Sequence, residues 1–216
     1  MLNAYQNMIE NQLRAGGITL PSIFEAFDQV DRQSFVPQSY QRFAYADMPI
    51  PLEGAQEMFS PLTEARILQA INPTKNDNLL EIGTGSGFSA ALSAHLARYV
   101  TSLEIDPSKA KSAMLRLEQE NIRNTRVICY DGFLYNLNQT TEKFDIITFS
   151  GSVSSLPVTF LDRLADGGKL FYFKSQPSLD FAELVMKDTD GNIKTHRLFE
   201  TKVTALVEPR EEKFTF

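Results

Sequence analysis

The chain has 216 residues, 43% of them hydrophobic, and 21 lysines and arginines against 27 aspartates and glutamates give a net charge of −6. This is enough apolar chain for a full core in one domain, and an acidic balance without a basic run argues against nucleic acid as a dedicated partner. One cysteine and two histidines exclude a disulfide framework and a four-ligand zinc site, no metal is expected, and no apolar run suits a bilayer span or a signal peptide, so the expected location is cytoplasmic.

Two short helices open the chain. The first carries Met8, Ile9 and Leu13 on one side and stops at Gly16-Gly17; the second starts at Pro21 and places Ile23, Phe24, Phe27 and Val30 at helical spacing. The proline-punctuated stretch from Val36 to Pro61 has no clear period, which in a compact domain points to a functional segment. From Ser60 a regular alternation begins, with a helix to about Ile71 for which Ser60-Pro61 are good N-cap and N1 residues. The run LLEIGTGSGFSAA, Leu79 to Ala91, then reads as a strand reaching Glu81, three alternating glycines, and the start of an alanine-rich helix. Gly83 suits a sharp turn, Gly85 a close approach of backbone to ligand, and Gly87 packing of the helix against the strand. The helix start adds unpaired N–H groups.

Further strands follow at Tyr99–Glu104, Thr125–Tyr130 (ending at Asp131-Gly132) and Phe144–Phe149 (ending at Ser150, Gly151 and Ser152), and the alternation runs to about Ala165. Gly167-Gly168 turns the chain into a strand over Lys169–Phe173, and Asp190-Gly191-Asn192 reads as a hairpin turn. Cys129 is expected in the core, and His95 and His196 are read as structural. The pattern predicts an α/β fold: a Rossmann-like, doubly wound, mostly parallel sheet with an N-terminal helical segment. Residues 1–216 are read as a single domain. Within it, 1–60 are helices and cover, 61–175 a cofactor-binding core, and 176–216 C-terminal strands.

The glycine loop discriminates among ligands. A phosphate-binding P-loop needs Gly-Lys-Ser/Thr, and Phe88-Ser89 stand here instead. A dinucleotide fingerprint fails from Gly83, because Phe88 fills the last glycine position, and survives only in the looser frame Gly85, Gly87, Ala90. The acid-x-Gly-x-Gly-x-Gly run Glu81-Ile82-Gly83-Thr84-Gly85-Ser86-Gly87 fits S-adenosyl-L-methionine best. Glu104, with Ile105 beside it, lies about 20 residues beyond the loop, where a strand-end carboxylate reaches ribose hydroxyls. Asp131-Gly132 falls where an adenine contact is expected, and Ser150 stands at the next strand end. A cofactor-binding protein without catalysis and an NAD-dependent oxidoreductase stay open beside the methyltransferase.

The front segment narrows this. MIENQLRAGGI, then FEAFDQVDRQSFVP, then AYADMPIPLEGAQ resemble the N-terminal signature of protein-L-isoaspartate O-methyltransferases, through Gln12, Gly17, Arg32, Phe35, Val36, Pro37, Ala44, Tyr45, Asp47, Gln56 and Pro61. The resemblance continues through the glycine loop and from Phe144 to Gly168, and is poor in the last part, ending VEPREEKFTF. It implies methylation of the carboxyl group of isoaspartyl residues in a damaged protein or peptide partner, by a cytoplasmic enzyme that needs neither a histidine base nor a metal. It places the catalytic position at Phe59 or its neighbour Ser60, and substrate contacts at Tyr45, Asp47, Gln56 and Phe59. The family motif carries threonine and serine where Glu57 and Phe59 stand here. A phenyl ring cannot donate to a carboxylate and a glutamate repels one, so a different acceptor stays open. The oligomeric state is not legible.

Overall fold

The structure, a computed structural model, describes residues 3–135 and 142–209. Nine strands are present among them: β1 (Ile50–Pro51), β2 (Glu57–Met58), β3 (Asn78–Ile82), β4 (Tyr99–Glu104), β5 (Thr125–Cys129), β6 (Phe144–Val153), β7 (Leu164–Lys174), β8 (Asp180–Lys187) and β9 (Ile193–Thr201). The first two form a small hairpin. The rest make one sheet in the order β5-β4-β3-β6-β7-β8-β9, parallel from β5 to β7 and antiparallel at β8 and β9. The α/β, doubly wound reading is therefore what the chain adopts.

The strand sequences explain the layering. Successive side chains of β3 point to opposite faces, so Leu79 joins one core cluster while Leu80 and Ile82 join the other. The first cluster takes the apolar sides of α2 (Pro21–Gln29), α3 (Pro61–Ile71), α4 (Phe88–Leu96) and α5 (Pro107–Gln119). The second packs Phe144, Phe149, Phe160 and Tyr172, with Phe133 of a short helix over Gly132–Tyr135 against it. From β3 the chain runs outward through β4 to β5, then returns to β3's other side as β6. That reversal opens a crevice at the carboxyl ends of these strands.

Several elements depart from the sequence reading. The first helix begins as α1 (Ala4–Asn7) and continues with π winding from Met8 to Arg14, which buries Met8 and Leu13, five residues apart, and leaves Ile9 half-buried. Strand β6 continues through Ser150, Gly151 and Ser152 instead of ending there, because a later segment pairs with it: Ser152 donates to the Thr204 carbonyl and Leu206 to that of Ser152. Strand β7 begins at Leu164, so Gly167-Gly168 form an irregularity within the ladder rather than a turn into it. Cys129 is exposed, not core, since β5 is the edge strand. The 188–192 turn joins β8 to β9 as expected, while residues 210–216 of the C-terminal run lie outside the described residues.

Candidate functional site

A cleft of about 800 Å³ opens at the carboxyl ends of β3, β4 and β6. The glycine loop forms its floor. Gly83 has φ +97°, a conformation that strains any residue with a side chain, and an added Cβ would also press on Leu206 Cδ2 at 3.0 Å. Gly87, at φ +90°, starts α4, but its close neighbour is Ala113 of α5 at 3.2 Å from an added Cβ; it permits helix–helix rather than helix–strand contact.

The loop's N–H groups are largely spent. Gly83 donates to the Leu103 carbonyl (2.8 Å), Gly85 to Glu104 Oε2 (2.8 Å), Gly87 to the Thr84 carbonyl (2.9 Å) and Phe88 to Ser86 Oγ (3.3 Å). At the helix start itself only the Phe88 N–H is taken in this way; among the described residues no bond takes the N–H groups of Ser89 and Ala90, which leaves part of the open helix start expected from sequence. Among the described residues the lining holds the carboxylates Glu57, Glu64, Glu104 and Asp131 and neither lysine nor arginine. Such a surface disfavours phosphates and favours a nucleoside that carries positive charge, which describes S-adenosylmethionine with its sulfonium and ammonium.

Each acid has a distinct setting. Glu104, buried at the end of β4, accepts from the backbone of Gly85 and, through Oε1, of Asp106 (3.0 Å), so it locks the loop to the start of α5. Ile105 beside it is 42% exposed, an apolar platform next to the carboxylate at the expected ribose position. Asp131 accepts from the Phe133 N–H at 2.9 Å, and with Gly132 it closes the same end of the cleft. Glu81 stands behind the floor rather than on it, facing a small internal cavity. Its carboxylate accepts from the Ser102 and Ser150 hydroxyls, and Thr84 meets Ser102 at 2.6 Å. Burial pushes the Glu81 carboxyl up to about 8, with the neighbouring Glu64 and Glu104 charges adding and the two serines opposing. Ser150 and the loop residues Ile82, Gly83, Thr84, Gly85 and Ser86 line the cleft directly.

Glu64, on the first turn of α3, escaped the sequence reading. It is 3% exposed, lines the cleft, and accepts from Ser89 Oγ with both oxygens at 2.7 and 2.9 Å. Burial pushes its carboxyl up to about 7 against the opposing pull of Arg32 and the Ser89 hydroxyl. A sequence signal existed: an acid at helical spacing with Leu68 and Ile71 on the inward side of a helix.

Gln56, Glu57, Met58 and Phe59 form the front wall. Phe59 is 6% exposed and its ring tilts against Phe173, 5.4 Å between centroids. Its carbonyl accepts from Arg32 Nη2 at 2.6 Å, while Arg32 Nε donates to the Ala44 carbonyl at 2.8 Å. Arg32 is 1% exposed, lies over the Phe88 ring, and leaves Nη1 without a hydrogen-bond partner. Burial lowers its guanidinium to about 10, opposed by Glu64 and Asp47.

Three expected site residues stand outside the cleft. Ser60 is the N-cap of α3, its hydroxyl accepting from the Thr63 N–H at 3.3 Å. Asp47 accepts from the Leu62 N–H at 3.1 Å and so braces the same helix start. The Tyr45 hydroxyl donates to Asp31 at 2.7 Å, and the ring meets Tyr5 edge-on. With Gln12, which donates to the Tyr45 carbonyl at 3.1 Å, these residues frame the cover rather than reach a ligand. The structure also brings in a segment that the sequence did not flag. Thr204 to Val207 line the cleft, and the Thr204 N–H donates to Glu57 Oε1 at 3.2 Å.

Comparison with known proteins bears on this geometry. The sequence model of the family described as Protein-L-isoaspartate(D-aspartate) O-methyltransferase matches residues 3–211, which includes most of the C-terminal part that the motif reading left out. Protein-L-isoaspartate O-methyltransferases from Methanospirillum hungatei and Gloeobacter violaceus are 35% and 32% identical, over 78% and 95% of this chain and 77% and 100% of theirs. A Plasmodium falciparum structure described as a protein-L-isoaspartate O-methyltransferase, in complex with S-adenosyl-L-homocysteine, superposes with a TM-score of 0.83. At 22% identity, covering 95% of this chain and 99% of that one, it speaks for the fold. Among the described residues no helix is long and apolar enough to cross a membrane.

Proposed function

From the premise that the chain belongs to the protein-L-isoaspartate(D-aspartate) O-methyltransferase family, we propose that it methylates the carboxyl group of isoaspartyl residues in damaged proteins or peptides of the cytoplasm. It is an S-adenosylmethionine-dependent O-methyltransferase. The observation that carries the reading is the cleft itself: a glycine floor flanked by carboxylates, with no basic side chain on its lining among the described residues, at the switch point of the sheet.

Bound S-adenosylmethionine supplies a methyl group on a cationic sulfur, a leaving group already activated. A carboxylate acceptor is ionised at neutral pH, so the chain needs no base, and no histidine lines the cleft. What the chain supplies is alignment and dryness. Glu104, Ile105 and Asp131 would hold the nucleoside end, and Met58, Phe59 and Leu206, on the same lining, would wall the acceptor side and exclude water.

Phe59 offers a ring where the family motif offers a hydroxyl. One charge-assisted hydrogen bond lost from the transition state costs about 1.5–3 kcal/mol, roughly ten- to two-hundredfold in rate. Methyl transfer from labelled cofactor to an isoaspartyl peptide, beyond an aspartyl control, tests the reading, and no excess over the control overturns it. Phe59→Ser should raise kcat/KM on that peptide within this range. The buried ring of Phe59 beside Glu57 favours a second reading, an uncharged acceptor, which no gain in Phe59→Ser would select.

A further inference from the structure

We propose that Glu64 is the carboxylate that receives the methionine ammonium of the cofactor. Among the acids around the loop, it alone is buried, on the lining and without a backbone partner. Glu81, the acid of the glycine motif, stands behind the floor and already accepts from two serine hydroxyls. Glu104 is occupied by the backbone of Gly85 and Asp106 at the nucleoside end. Asp131 accepts from the Phe133 backbone at that same end, and Glu57 from the Thr204 backbone at the front wall.

Glu64 is bonded to Ser89 in the first turn of α4, whereas Glu104 holds Gly85 within the loop, and Glu64 lines both the cleft and the small internal cavity beside Glu81. It shares the lining with Thr84, Gly85, Ser86 and Ser89, where the amino-acid end of a ligand extends if its ribose sits at Glu104. A carboxylate offers about four acceptor sites, and Glu64 uses its two oxygens on one hydroxyl, Ser89. No ion pair reaches it among the described residues: the nearby Arg32 guanidinium donates through Nε and Nη2 to the Ala44 and Phe59 carbonyls and leaves Nη1 unpartnered rather than bonded to Glu64. A buried acid with spare acceptor sites on the wall of a ligand cleft is complementary to an ammonium group. Helix α3 holds it rigidly, since Ser60 and Asp47 both accept from the helix's first-turn N–H groups.

The proposal rests on the methyltransferase reading but needs no methyl acceptor for its test, so failure to methylate an isoaspartyl peptide leaves it standing. Titration calorimetry compares S-adenosylhomocysteine with its deaminated analogue, which lacks only the amine, on wild-type protein and on Glu64→Gln. Wild-type protein should bind the amine-bearing ligand about 10- to 100-fold more tightly, and Glu64→Gln should reduce that preference to about threefold or less. Equal wild-type affinity for the two ligands overturns the proposal without any variant. A Glu64→Gln protein that keeps the preference, or loses affinity equally for both ligands, overturns it as well. Should Glu64→Gln not fold by circular dichroism, Glu64→Met takes its place with the same criteria.

Discussion

Glu64 and Glu81 are carboxyls that the folded chain keeps protonated well above the ordinary range, at about 7 and about 8, because both are buried with few donors around them. Folding therefore binds protons at these sites. Their contribution to stability is complete below the unfolded value of 4.5 and is withdrawn as pH rises through about 7 for Glu64 and about 8 for Glu81. Denaturant unfolding should accordingly lose on the order of a few kcal/mol between about pH 5 and pH 8 in the ligand-free protein. Glu64→Gln should flatten part of that fall, and curves that stay parallel would argue against a buried proton at this position. The sequence showed both acids, but only one by role. Glu81 sits in a local motif, whereas Glu64 becomes a cleft residue only because α3 packs its inward side over the glycine loop.

At the scale of elements, the strand–glycine–helix unit was legible because its determinants are contiguous: apolar β3, glycines at the turn, alanines in α4. The hydrogen bonds within it were not legible. Glu104 reaches back 19 residues to Gly85, and that bond exists only because β4 lies parallel beside β3. Gly83→Ala tests the unit. A side chain at φ +97° is strained and its Cβ presses on Leu206, so the variant should lose about 1–3 kcal/mol of stability. It should also lose most S-adenosylhomocysteine binding by calorimetry; native affinity would mean that the floor does not cradle the ligand. The lengths of β6 and β7 escaped the sequence for a similar reason, since pairing with a distant partner, and not local pattern, decides where a ladder stops.

The whole molecule adds a contact that no local reading contains. Glu57 in the front hairpin accepts from Thr204 across 147 residues, and Thr204 to Leu206 pair in turn with β6 beside the cleft. Front wall and C-terminal segment are thus bonded to one another and both line the cleft. Glu57→Ala should weaken S-adenosylhomocysteine binding about fivefold, the worth of one hydrogen bond of roughly 1 kcal/mol. It should also raise amide exchange together in 50–58 and 204–207; exchange that changes in only one of the two segments would show that they are not coupled.

By itself the sequence determined the α/β class, the glycine loop with its flanking acids, and the family, because each is written in contiguous residues or in motifs whose order along the chain is preserved. Tertiary structure decided which of those residues line the cleft. It turned Ser60 and Asp47 to the start of α3 and Tyr45 to Asp31, drew Glu81 behind the floor, and brought Glu64 and Thr204 to the cleft. Burial, and the pairing of backbone groups far apart in the chain, govern those outcomes, and neither is encoded in the spacing of neighbouring residues.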